Sequence, residues 1–191
     1  MACHVGPLAR LSSQASTAAA LALLALPGLS TPSRAQLART EKATLEVVAD
    51  RTAYDPGGEA EVAAVMTIEA GWHTNSHWPS FEYLIATQLR FELPEGWPEA
   101  VVDYPAGEMK SFSFAEEPLS VYEGEVTMIG RLPIPKDATE GDWPIAVALT
   151  YQACDDRSCL PPVTTHRSLE LRVGAGGGSV TGERFSTARP A

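Results

Sequence analysis

The chain is short of positive charge, short of cysteine, and without an apolar run long enough to cross a bilayer. Its 14 Lys and Arg face 24 Asp and Glu, for a formal charge of −10. An acidic surface repels phosphate backbones and anionic headgroups, which argues against nucleic acid or an anionic membrane surface as partner. The longest uncharged apolar run, Ala18 to Leu29, has about 12 residues, whereas a membrane-spanning helix needs roughly 20. Helical periodicity is missing too: no long stretch shows it without an interrupting Pro or Gly. There is no Gly-x-Ser-x-Gly elbow, no phosphate-binding loop and no carboxylate pair at a telling spacing.

The first 35 residues read as a targeting segment. Arg10 places positive charge ahead of the apolar run, and Ser33-Arg34-Ala35 offers small residues where signal peptidase reads. Residues 1–35 are therefore expected to be a signal peptide, cleaved after Ala35. Cys3 lies on the wrong side of the apolar run for lipidation and would leave with the signal. The mature chain would hold about 156 residues, of charge near −12 because Arg10 and Arg34 are lost. That length suits one domain with a real core. From Gly174 the sequence is glycine-rich, polar and unpatterned, so residues 36–173 are expected to form the domain and 174–191 a flexible tail.

Within the domain, apolar residues alternate at period two. Leu45, Val47 and Ala49 do so, then Val62, Ala64, Met66 and Ile68, then Thr87, Leu89, Phe91 and Leu93. Ile145, Val147, Leu149 and Tyr151 follow, and finally Leu169, Leu171 and Val173. Each run reads as a half-buried strand, and one more is expected over Tyr122–Leu132. Asp55-Pro56-Gly57-Gly58, Pro94-Glu95-Gly96, Pro133 to Gly141 and Pro161-Pro162 supply the turns. Six to eight short strands predict an all-β, immunoglobulin-like antiparallel β-sandwich.

Of the 3 cysteines encoded, the two outside the targeting segment are Cys154 and Cys159. They lie in Tyr151-Gln152-Ala153-Cys154-Asp155-Asp156-Arg157-Ser158-Cys159-Leu160-Pro161-Pro162. In an oxidising compartment they can pair across a short turn. A bridge closing so small a loop removes little unfolded-state entropy, roughly 2 kcal/mol. At a polar turn it is reachable by a foreign thiol, and exchange requires that access. Spacing alone leaves a structural bridge and a redox couple both open. Two thiols without nearby histidines make a poor zinc set, and no metal or other cofactor is expected.

The segment YQACDDRSCLPP resembles the cysteine motif of the N-terminal periplasmic domain of the thiol:disulfide interchange protein DsbD. Gly71-Trp72-His73, Leu89 to Trp97, and Val121 to Val126 are similar to further blocks of that family. Together these cover roughly residues 42–173. The resemblance implies an immunoglobulin-like fold, a periplasmic location and an electron relay through Cys154 and Cys159. Cys159 would bond the partner and Cys154 would resolve the mixed disulfide. Asp155 and Asp156 beside Cys154 disfavour its thiolate, which suits that division, while Arg157 favours one. The partners implied are periplasmic thioredoxin-like or disulfide isomerase proteins, including those of cytochrome c maturation. A separate membrane thiol transporter would recharge the pair, because the sequence carries neither the family's transmembrane segment nor its thioredoxin domain. The chain itself is expected to be a monomer.

The family's cap loop, an aromatic segment shielding the cysteines, matches Lys110 to Glu117. Phe114 is the first candidate lid residue, Phe112 the second, and Glu116 a neighbour that tunes the cysteines or faces solvent. His73, Asn75 and Tyr151 are candidates for the cysteine environment. His73 and His77 have a helical metal-ligand spacing, but Gly71 and Pro79 argue against a helix there. Trp72, Trp78, Trp97 and Trp143 flank Pro or Gly and are expected to pack at strand ends. Two rival readings stand beside the relay: an exported binding module with an inert bridge, and a copper-binding accessory protein using the same cysteines.

Overall fold

The computed structural model describes residues 41–175, 177–180 and 185. The expected signal peptide and its cleavage site lie outside these residues. The strands are β1 (Ala43–Ala49), β2 (Glu59–Ile68), β3 (His73–Asn75), β4 (Gln88–Glu92), β5 (Val101–Asp103), β6 (Glu108–Lys110), β7 (Leu119–Tyr122), β8 (Glu125–Pro133), β9 (Gly141–Tyr151), β10 (Ala153–Cys154) and β11 (Val163–Val173). Every ladder between them is antiparallel. Among the described residues no helix is long and apolar enough to cross a membrane.

The long strands build the sandwich. One sheet has the order β1-β2-β8-β5 and faces a second of order β11-β9-β4. Alternation supplies the shared core: Leu45, Val62, Ala64, Met66, Met128 and Leu132 from the first sheet, with Leu89, Phe91, Ile145, Val147, Leu149 and Leu171 from the second. Ala63 and Val65, on the face expected to be wet, are buried as well. Tyr151 is an anchor between the layers. Its hydroxyl donates to the Ala43 carbonyl at 3.2 Å and accepts from the Ala43 amide at 3.1 Å. Arg167 Nε makes a parallel tie, donating to the Leu45 carbonyl at 2.9 Å. The described residues thus form an immunoglobulin-like antiparallel β-sandwich, as the alternation predicts.

A third sheet, of order β10-β3-β7-β6, is made of short strands. The expected strand over Tyr122–Leu132 is in fact two. β7 belongs to the third sheet and β8 to the first, and the chain passes between them at Glu123-Gly124. Gly124 has φ 62° there, a left-handed conformation that glycine adopts without a Cβ penalty. β3 was not expected either. His73, Thr74, Asn75 and Ser76 are all polar and all buried. Asn75 is satisfied from the segment before β4: Thr87 Oγ1 donates to the Asn75 carbonyl at 2.6 Å, and Asn75 Nδ2 donates to the Ile85 carbonyl at 3.1 Å. Beyond β11, the Gly174 amide donates to the Tyr54 carbonyl at 2.8 Å and the Val180 amide to the Asp50 carbonyl at 2.6 Å. The first described residues past Gly174 therefore lie along the β1–β2 connection.

The two main sheets pack tightly at Gly130 of β8, where a side chain would overlap the Phe91 ring of β4. Gly130→Ala should therefore cost about 1–3 kcal/mol by overpacking, read as a lower urea midpoint with an unchanged slope. A neutral substitution would mean that the sheets can separate at this point.

Candidate redox site

The cysteine hairpin begins where β9 leaves its sheet. Tyr151 is the last residue of β9, opposite Val163 of β11. After Gln152 the chain joins the third sheet as β10, with Ala153 opposite Thr74 and Cys154 opposite His73. Residues 152–162 are thus an excursion from one sheet into another. Gln152 Nε2 donates to the Leu160 carbonyl at 3.0 Å, and the Leu160 amide donates to the Ala153 carbonyl at 2.9 Å. These bonds fasten the base of the loop. Pro161 and Pro162, which have no amide hydrogens to offer a ladder, carry the chain back to β11.

The turn itself is held by one carboxylate. Asp155 Oδ1 accepts from the Arg157 amide at 2.8 Å, the Ser158 amide at 2.7 Å and the Ser158 hydroxyl at 3.3 Å. The two amide bonds hold the Asp155 carboxyl below the usual aspartate range, because they favour its charged form. The Asp155 amide closes the turn on the Ser158 carbonyl at 2.9 Å. Cys154 and Cys159 face each other across it as an antiparallel bridge, their Cα atoms 4.0 Å apart and their sulfurs joined. The two sulfurs differ in access. Cys154 is only 4% exposed, whereas Cys159 is on the exposed side of the hairpin.

The third sheet brings the expected neighbours together in part. His73 is opposite Cys154, so both side chains stand on one face of the β3–β10 pair. The segment expected to act as a cap is the loop of the β6–β7 hairpin, between Lys110 and Leu119. Its Phe112 stacks on His73 with centroids 4.2 Å apart. Phe114 stacks in turn on Phe112, at 5.2 Å, and is 50% exposed. Phe112 is therefore the inner ring and Phe114 the outer one, and Glu116 faces solvent. Lys110, at the foot of the loop, is ion-paired with Glu123. Asn75 and Tyr151 are buried, with their polar atoms engaged by Ile85 and Ala43 respectively. His77 is turned elsewhere. Its ring stacks on Tyr104 at 3.6 Å and its Nδ1 lies 3.1 Å from the Thr87 carbonyl. Trp97 and Trp143 pack against each other, but Trp78 is 61% exposed, unlike the packed role expected of it.

Burial lowers the His73 pKa below its ordinary value, and Glu123, Asp156 and Asp155 oppose that shift while Lys110 adds to it. The imidazole is therefore neutral at neutral pH. The sequence named His73 but gave no sign of its depth or of the ring above it. Only the β3 register supplies these. A stretch with no apolar residue gives no strand signal from which that register could be read.

The family model described as "Thiol:disulfide interchange protein DsbD, N-terminal" matches residues 41–171. No curated protein matches the chain. Among solved structures it is similar to the N-terminal periplasmic domain of ScsB from Proteus mirabilis, at 16% identity and TM-score 0.48 over 70% of this chain. It spans about half, 47%, of that ScsB chain. It is also similar to the reduced form of the DsbD N-terminal domain from Neisseria meningitidis, at 20% identity and TM-score 0.40, covering 71% of this chain and 88% of that one. A third is the complex between the DsbD and PilB N-terminal domains of the same organism, at 18% identity and TM-score 0.39, covering 64% and 80%.

Asp155→Ala should loosen the turn and raise the fraction of reduced protein in a fixed dithiothreitol buffer at pH 7. Both a lower effective concentration of one thiol at the other and the loss of a nearby negative charge act in that direction. The contribution of the charged carboxylate is complete above the ordinary aspartate range and disappears as pH falls through the lowered value. The Arg157 and Ser158 amide proton resonances should accordingly move in acid in the wild type and stay put in Asp155→Ala. Unchanged reduction together with unchanged resonances would remove Asp155 from this account.

Proposed function

The chain belongs to the family of the N-terminal domain of the thiol:disulfide interchange protein DsbD, and from that membership we propose that it is a periplasmic electron relay. Thiol–disulfide exchange is the activity of the family and needs a cysteine pair at bonding distance, which Cys154 and Cys159 are. The observation that carries the finer reading is their unequal access. In the reduced protein, the exposed Cys159 attacks a partner disulfide as thiolate and forms a mixed disulfide. Cys154, sheltered from the partner, then attacks Cys159 and releases the partner as a dithiol. Two electrons leave this chain, whose own disulfide is restored.

The partners are thioredoxin-like or disulfide isomerase proteins of the periplasm, and a membrane thiol transporter returns the chain to its reduced form. The β6–β7 loop is the cap. With Phe112 seated on His73, it limits approach to the hairpin, and it must swing aside for a partner to dock. The stack contributes about 0.5–1.5 kcal/mol beyond area burial, small enough for a docking protein to overcome.

Two experiments test this. Cys154→Ala should trap a mixed disulfide between Cys159 and an oxidised thioredoxin used as probe, while Cys159→Ala traps none. If neither variant is captured and the wild type exchanges no electrons with thioredoxin, the relay is wrong. Phe112→Ala should leave the fold intact and let dithiothreitol reduce the wild-type pair several-fold faster. An unchanged rate would mean that the loop shields nothing.

A further inference from the structure

The relay proposed above leaves one chemical requirement unmet. Cys154 must lose its proton before it can attack the mixed disulfide, and its surroundings oppose that loss. It is buried, and it is followed in sequence by two acidic residues, Asp155 and Asp156. Burial and adjacent negative charge both raise a thiol pKa. A resolving thiol left to itself would be slow at neutral pH.

The residue directly across the ladder answers this requirement. His73 is only 4% exposed, while His77, four residues on, is positioned against the Thr87 carbonyl instead. The β3–β10 register points the His73 and Cys154 side chains to one face, with Cβ atoms of such pairs about 4.5–5.5 Å apart. In the disulfide form there is no S–H for the ring to meet. Reduction creates one.

We propose that His73 is the proton acceptor for Cys154 during resolution of the mixed disulfide. The imidazole takes the Cys154 proton as the Cys154–Cys159 bond forms. The bond between Cys159 and the partner sulfur breaks, its electron pair leaves with that sulfur, and the partner thiolate takes a proton from water. The imidazolium then releases its own proton to solvent. The groups facing the ring support this cycle. Glu123 follows Tyr122 in the register that places Thr74 opposite Tyr122, and so continues the row of Cys154 and His73 on the far side. Glu123, Asp156 and Asp155 all favour the imidazolium, and Lys110, paired with Glu123, moderates them. Burial keeps the resting ring neutral, the form able to accept. In the resting protein Phe112 stacks upon it.

Glutathione disulfide is a suitable probe, because attack by Cys159 and resolution by Cys154 appear as separate events, a glutathionylated protein and then free glutathione. In the wild type, the resolution rate should fall in acid as His73 is protonated and be flat from about pH 7 to 8.5. In His73→Phe, which keeps a ring against Phe112, resolution at pH 7 should be about 10²-fold slower. It should then climb about tenfold per pH unit, as the thiolate fraction does. His73→Gln should behave alike. Attack by Cys159, measured in a Cys154→Ala background, should be unaffected. A wild-type rate that itself climbs tenfold per unit from pH 7 to 8.5 overturns the proposal without any variant. If His73→Phe resolves at the wild-type rate and with the wild-type profile, His73 is not the acceptor, although the relay stands. If no glutathionylated intermediate forms in any protein, the relay itself fails.

Discussion

The pairing of Ala153–Cys154 with His73–Thr74 is the contact on which the site depends. β9 could have turned straight back into β11, since Tyr151 and Val163 already face each other in the ladder. Instead, residues 152–162 leave that sheet and enter another. This excursion buries one cysteine against β3 and leaves the other outside. Without it the two sulfurs would sit at an ordinary hairpin tip, alike in access and far from the cap. The third sheet matters for the same reason. It is a small assembly of two- to four-residue strands, and it brings the cysteine hairpin, His73 and the β6–β7 loop into one ladder. The sandwich has an apolar core, while the third sheet carries the polar side chains of the site.

Polar satisfaction explains why so irregular a region is well defined. His73, Thr74, Asn75 and Ser76 are buried without an apolar residue among them. A segment of that kind is stable only if its donors and acceptors are paired. Thr87, Ile85 and Ser120 provide the pairs for Thr74, Asn75 and Ser76. His73, the remaining polar residue of the stretch, stands opposite Cys154 in the ladder.

Much of this was legible in the sequence, for identifiable reasons. β2, β4, β9 and β11 carry strong two-residue alternation, so the sandwich could be read from Val62, Leu89, Ile145 and Leu171 and their neighbours. The cysteine pair was legible because so few cysteines are encoded and the flanking residues form a distinctive block. The third sheet was not legible. β3 has no apolar residue, and β6 and β10 have three and two residues, too few to show a period. Gly124 looked like part of one strand because Tyr122, Val126 and Met128 keep an apolar rhythm across it. Its positive φ is what divides β7 from β8. Both phenylalanines of the expected cap could be named, but their order could not, since only the ring stacking shows that Phe112 meets His73 first.

The central claim is that the Cys154–Cys159 bond is a working couple and not a staple. Its midpoint potential tests this most directly, measured for the wild-type protein by equilibration in graded dithiol buffers at pH 7. A structural bridge lies below about −300 mV, out of reach of cellular thiol pools. The account predicts a fully reversible transition above that value, in the range where thioredoxin-like proteins exchange. A potential well below it, or a bond that no buffer opens while the domain stays folded, would contradict the account and leave the hairpin as scaffold.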